Sequence, residues 1–129
     1  TVHGDAKLAN FCFPDNNGAN KLAAVDFQYV GKGVGVKDLA YFLGACFSQD
    51  DLFTHEKHLL DEYFLYLKNA LYHYHIKVDF VSLQQEWRSL YSVAWADFHR
   101  FLLGWSPGHY KINHYMQRQT DIALAFLVN

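Results

Sequence analysis

The chain has 129 residues and a net charge of −2, and 51% of its residues are apolar. That length fits one domain (1–129) with a buried core, the apolar share excludes wholesale disorder, and the charge gives no electrostatic footprint for nucleic acid or acidic lipid. No run approaches the roughly 18 consecutive apolar residues of a membrane span, so neither nucleic acid nor membrane is expected as a partner.

Thr1-Val2-His3 reads as the tail of an incoming element, and the expectation is a fragment of a longer protein. Residues 1–10 carry no sustained period and read as an ordered loop. Phe11-Cys12-Phe13 is a short strand, and Pro14-Asp15-Asn16-Asn17-Gly18 is dense in residues that reverse a chain. Leu22 to Phe27 is a second apolar run with β-branched Val25, so the pair reads as a hairpin. Tyr29 to Lys37, with three glycines, reads as a flexible connector.

Helices are expected from there on. Asp38 suits the N-cap of one near 39–47, and Ser48 or Asp50 suits the cap of the next. In that second helix Leu52, Leu59, Leu60, Tyr63, Phe64, Leu67 and Leu71 recur at helical spacing. After a break near 76–79, the stripe Phe80, Leu83, Trp87, Leu90, Tyr91, Ala94, Phe98 and Leu102 predicts one further helix, ended by Ser106-Pro107-Gly108. Asn113 caps a last helix, with Met116, Ile122, Ala123, Phe126 and Leu127 facing inward. The fold class is therefore α+β and mainly helical: one short β-hairpin, then three or four helices. Cys12 and Cys46 are too few for a disulfide framework and read as buried thiols in a reducing, cytoplasmic compartment.

The chemistry-bearing pattern is His3-x-Asp5-x4-Asn10, followed by strand, turn, strand and Asp26-Phe27. Phosphoryl transfer asks a protein to position reactants and neutralise charge. One carboxylate, Asp5, would orient the acceptor hydroxyl and take its proton. Asn10 and Asp26 would supply a neutral and an anionic oxygen to Mg²⁺, which fills its remaining positions with phosphates and water. The bland rivals are a turn cap at Asp5, a turn residue at Asn10 and a structural hydrogen-bonder at Asp26. His3 reads as structural support, packing near Phe27 and bonding backbone. Lys7 divides between a phosphate contact beside the base and a solvated surface residue.

Together with Val25-Asp26-Phe27-Gln28 and Asp38-Leu39-Ala40-Tyr41, this pattern resembles the aminoglycoside phosphotransferase and choline kinase-like superfamily, and within it the ecdysteroid kinase-like branch. The resemblance covers about the first 47 residues. It implies part of a protein-kinase-like C-terminal lobe, with residues 1–36 as catalytic loop, hairpin and metal loop and 37–129 as a helical subdomain. It further implies ATP and Mg²⁺ as cofactors, a small-molecule alcohol as substrate, Asp5 as base, Asn10 and Asp26 as metal and nucleotide ligands, and Asp38 as the anchor of the catalytic loop. The glycine-rich nucleotide loop, the strand lysine and the helix glutamate of that superfamily do not occur within 1–129. This piece alone is thus expected not to turn over, and to need an N-terminal lobe from the same parent chain. Gln28 replaces the glycine of protein kinases, so the Asp26 segment should keep one conformation.

Of the 23 aromatics most fall on core stripes. The Trp105-Ser106-Pro107-Gly108-His109-Tyr110 break with Tyr115 is the candidate substrate wall, better suited to an apolar alcohol than to a polycation. Gly31-x-Gly33-x-Gly35 mimics a dinucleotide turn, but the third glycine required falls at Val36. His55 with His58, and His73 with His75, lack an acidic or thiol partner to complete a zinc shell. The rival functions are a catalytically silent kinase-like binding module and, more remotely, a magnesium-dependent phosphatase. Apolar faces left exposed would favour self-association.

Overall fold

Two short strands and five helices follow one another in the computed structural model, which describes residues 1–14 and 22–128. After a 3₁₀ turn at Leu8–Asn10, β1 (Phe11–Cys12) pairs antiparallel with β2 (Ala23–Ala24), Phe11 facing Ala24 and Cys12 facing Ala23. The turn expected at 15–18 lies outside the described residues. The helices are α1 (Gly35–Cys46), α2 (Gln49–His73), α3 (Phe80–Ser89), α4 (Tyr91–Trp105) and α5 (His114–Val128). The fold is α+β and mainly helical, as the sequence predicts. Among the described residues no helix is long and apolar enough to cross a membrane.

Three helices start where a short polar side chain precedes an apolar stripe. Ser48 closes a capping box with Asp51, its hydroxyl accepting from the Asp51 N–H while Asp51 accepts from the Ser48 N–H. Asp79 accepts from the N–H groups of Val81 and Ser82 at the head of α3, and Asn113 accepts from Met116 N–H at the head of α5. Helix α1 departs from expectation. It begins four residues earlier than predicted, after Val34, with no side-chain cap, so Asp38 lies inside its first turn and is directed elsewhere. Gly35 permits this early start, because a Cβ there would lie 2.1 Å from the Tyr63 hydroxyl and 2.7 Å from the Trp87 ring. The glycine segment is therefore packed rather than a flexible connector.

The helix predicted over 80–102 is two. At Leu90 the backbone opens to ψ −5°, its N–H still reaching Glu86 O, and α4 starts in a new direction. Leu90 is partly buried against the core, so the apolar periodicity runs through the break.

The core lies where α4 packs against α1 and α5. Trp95, Phe98 and Leu102 of α4 meet Val36, Ala40 and Leu43 of α1, with Leu52, Leu60 and Phe64 of α2 closing one side. Helix α5 buries Tyr115, Met116, Gln119 and Ala123, whereas Ile122, Phe126 and Leu127, expected inside, are exposed. The face is rotated because Glu56 of α2 accepts from both the Tyr115 hydroxyl (2.6 Å) and the Gln119 amide, which places a polar residue on the inner stripe. Of the two thiols, Cys46 is half-buried but Cys12 is exposed, contrary to the expected burial, because a two-residue strand covers neither of its faces.

Candidate active site

The first ten residues have no regular structure of their own, so other elements must fix them. Asp38, on α1, does most of this: its carboxylate accepts from His3 N–H at 2.6 Å and Gly4 N–H at 2.9 Å. Two charge-assisted bonds from consecutive amides hold the loop's backbone against the helix. Val2 forms a bridge with Gly31, its N–H to Gly31 O at 2.8 Å and the reciprocal bond at 3.2 Å. Gly4 sits at φ 87°, and a Cβ there would lie 2.3 Å from the Tyr29 carbonyl oxygen. Glycine is thus required twice over, by backbone conformation and by space.

His3 ties the loop to the hairpin. Asp5 N–H donates to its Nδ1 at 3.3 Å, so the ring proton resides on Nε2, which donates to Val25 O at 2.9 Å. Its ring packs 5.0 Å from that of Phe27 and 5.8 Å from that of Phe11.

Asp5 emerges from this support with its two oxygens differently engaged. Oδ2 accepts from Asn10 Nδ2 at 3.1 Å and lies 3.0 Å from Lys7 Nζ. Oδ1 has no bonding partner among the described residues. Asn10 is buried, and its Nδ2 also donates to the Asp5 carbonyl at 2.8 Å, which turns its amide oxygen away from Asp5. Asn10 O accepts from Val25 N–H at 3.0 Å, so the hairpin sets Asp26 one residue beyond the pairing partner of Asn10. Asp26 takes the left-handed conformation, φ 65°, which aspartate tolerates better than most residues. Its carboxylate is exposed and unbonded among the described residues. A neutral amide oxygen just before β1 and an unbonded carboxylate just after β2 are donor types suited to Mg²⁺, and Asn10 and Asp26 would be the residues to hold it.

Asp5 opens onto a cavity of about 540 Å³. Gly4, Asp5, Lys7 and the loop residues Gln28 and Tyr29 form one side of it. The opposite side is aromatic. Tyr41 of α1 stacks on Phe98 at 4.1 Å, and Phe101 stacks on Trp105 at 6.0 Å, with His109 continuing the ladder at 5.9 Å. Burial, with the negative charges of Asp97 and Asp5, pushes the Tyr41 hydroxyl up to about 12, so it keeps its proton at neutral pH. Lys111 completes the lining, half-buried, its pKa held below the usual lysine value by burial first and by the neighbouring Lys7 charge, against the weaker opposing influence of Cys46 and Asp5.

The sequence-predicted residues divide accordingly. Asp5, Asn10 and Lys7 are brought together, Asp26 is placed beside them by the hairpin, and His3 and Asp38 brace the loop. Trp105 and His109 line the cavity. Tyr110 does not: it is 82% exposed and stacks on the outer face of His109 at 4.7 Å. Tyr115 does not either; it is fully buried on the far side of α4, its hydroxyl donating to Glu56 and lying 3.1 Å from that of Tyr91. Tyr41, Phe101 and Lys111 were missed. The spacing Phe98, Phe101, Leu102, Trp105 on α4 carried a signal, because it puts four apolar side chains on one helical face ending at the break.

Comparison with curated proteins gave no match, and neither did comparison with solved structures. Comparison with protein families gave a match over residues 1–99, which runs from the N-terminal loop through most of α4. The chain belongs to the family described as Uncharacterized oxidoreductase dhs-27 (DUF1679), a member of the ecdysteroid kinase-like group.

Proposed function

We propose that this chain is the catalytic-loop and metal-loop portion of an ATP- and Mg²⁺-dependent phosphotransferase that phosphorylates a hydroxyl of a small molecule. One observation carries the reading: Asp5 keeps one carboxylate oxygen unengaged at the rim of an aromatic-lined cavity, while Lys7 and Asn10 fix the other. An acceptor hydroxyl in the cavity would give its proton to Oδ1. Lys7, held at the same carboxylate, would face the transferring group with positive charge. Asn10 and Asp26 would hold Mg²⁺, which when bound supplies the charge that neutralises the nucleotide phosphates. His3 and Asp38 act only on position, keeping the Asp5 backbone in register with the hairpin.

The family's printed description speaks of an oxidoreductase. In this chain Gly31 bridges Val2, Gly33 abuts the Val2 side chain and Gly35 lies inside α1. These positions form no strand-to-helix cradle for a pyrophosphate, and the sheet among the described residues is antiparallel. Phosphoryl transfer is the better supported chemistry.

The outer side of the hairpin exposes Leu22, Val25, Phe27 and Val30, a surface suited to the N-terminal lobe we place above it. The free thiols Cys12 and Cys46 suit a reducing, cytoplasmic setting.

The test is substitution of Asp5 by Asn in the parent chain. Transfer should fall about 10²–10⁴-fold with Mg²⁺-ATP affinity retained, because the base acts on the acceptor. Unchanged transfer would sink the assignment. Failure of the parent chain to bind Mg²⁺-ATP in calorimetry would favour the silent binding module instead.

A further inference from the structure

The charges facing the cavity do not balance. Asp5 and Lys7 form an ion pair at 3.0 Å and contribute no net charge. Lys111 lines the same cavity, half-buried. Among the described residues no carboxylate lies within ion-pair distance of its ammonium, and no acceptor is bonded to it. Its backbone is fixed, since Lys111 N–H donates to His109 Nδ1 at 3.2 Å and so pins the turn that carries both residues. A half-buried ammonium without a partner has lost hydration that no protein group restores. Such a group is a demand for an anion, placed at one end of an otherwise aromatic chamber.

Resting on the reading of this cavity as the acceptor site, we infer that the acceptor is an anionic, ring-bearing alcohol, and that Lys111 is the specificity-determining residue that pairs with its carboxylate or similar anion. The two halves of that description come from different walls. Tyr41 on Phe98 and Phe101 on Trp105 present stacked rings that favour a flat or polycyclic apolar body. A volume of about 540 Å³ lies within the range of sites that enclose a small organic ligand. Lys111 then sets which such bodies are accepted, since a neutral analogue leaves its charge unpaired. The depression of its pKa by burial agrees with this placement, and an anionic ligand would reverse it. Lys111 lies beyond the family match at 1–99, so the inference concerns this chain's own geometry.

Two probes test it on the 129-residue chain with no nucleotide present: 6-hydroxy-2-naphthoate and its neutral primary amide, followed by calorimetry and by Trp fluorescence. The carboxylate should bind about tenfold or more tighter than the amide, the difference expected for one charge-assisted contact, and added salt should narrow the gap. Lys111→Met should weaken the carboxylate to the level of the amide and leave the amide unchanged, while Lys111→Arg should keep the preference. Circular dichroism and thermal melting of the variants confirm that they fold, and the wild-type preference needs no variant at all. The inference is overturned by equal wild-type affinities, by binding of neither probe, or by a preference that survives Lys111→Met. It is also overturned by a preference that is lost only in Lys7→Met. Because nucleotide is absent, the proposed chemistry is judged separately. Discrimination between the probes with no phosphoryl transfer by the parent chain would retain this inference and remove that one. Transfer to charged and neutral alcohols alike would do the reverse.

Discussion

Among the described residues between Val2 and Gly31 the chain is fixed largely by single polar contacts, whereas from α1 onward it is fixed by buried area. The loop depends on the Asp38 carboxylate, on the bond from the His3 ring to Val25 O and on the two-bond bridge to Gly31, each reaching a residue distant in sequence. The helical part depends on Trp95, Phe64, Leu52 and their neighbours, whose burial is shared among many contacts. A polar clamp sets position closely and fails when one group is removed; an apolar core contributes most of the stability and tolerates gradual change. The candidate chemistry is on the clamped side, where small displacements of Asp5 would matter most.

Substitutions can separate these two modes. The largest effect on stability should come from Trp95→Ala in α4, which removes a ring 1% exposed and packed 5.1 Å from that of Tyr115. A loss of about 3–5 kcal/mol in denaturant unfolding is expected. A loss under 1 kcal/mol would mean that the helical part is not held by its core. Asp38→Asn keeps the shape but converts two charge-assisted bonds into one neutral acceptor. It should lower stability by about 1–3 kcal/mol. More tellingly, it should raise amide exchange at His3 and Gly4 while α4 stays protected; uniform loosening would contradict the division. Gly4→Ala confronts both the left-handed backbone and the Tyr29 carbonyl. A cost of about 1–3 kcal/mol is expected, with NMR shifts confined to the loop and the segment around Tyr29.

The smallest effect concerns pH. His99 is buried, and since the Thr120 hydroxyl donates to Met116 O, it accepts from His99 Nδ1–H at 2.9 Å. Burial holds the His99 pKa below the ordinary 6.5. The unfolded chain therefore takes up this proton first as pH falls. The contribution of neutral His99 is fully present above about 6.5 and declines as pH drops toward the depressed folded value. Thermal melts from pH 7.5 to 5 should show a steeper decline for the wild type than for His99→Gln. Equal slopes would show that His99 is not the group concerned.

The sequence disclosed those features that depend on neighbours along the chain. Ser48, one of two candidates with Asp50, and Asn113 were legible as caps because capping uses a polar side chain two or three residues before an amide, whereas Asp79 was read only as part of a break. The adjacency of Asn10 and Val25 was legible because a hairpin converts sequence spacing into proximity. Asp38 misled as a cap because its carboxylate serves amides 34 and 35 residues away, a competition that no local rule registers. Tyr115 misled in the same way, since its hydroxyl is taken by Glu56 from 59 residues upstream. Lys111 and Tyr41 could not be joined to Asp5 from spacing, because three separate elements meet there only after packing.

The close approach of Gly4 to Tyr29 has a consequence for how the cavity can be altered. The carbonyl that forbids any side chain at position 4 belongs to the residue whose ring forms part of the cavity's edge. Replacing Tyr29 by another side chain would remodel the cavity's edge while leaving that carbonyl, and so the packing of the loop at Gly4, in place. The cavity's edge can therefore vary at position 29 without disturbing the loop that carries Asp5, a freedom that position 4 lacks.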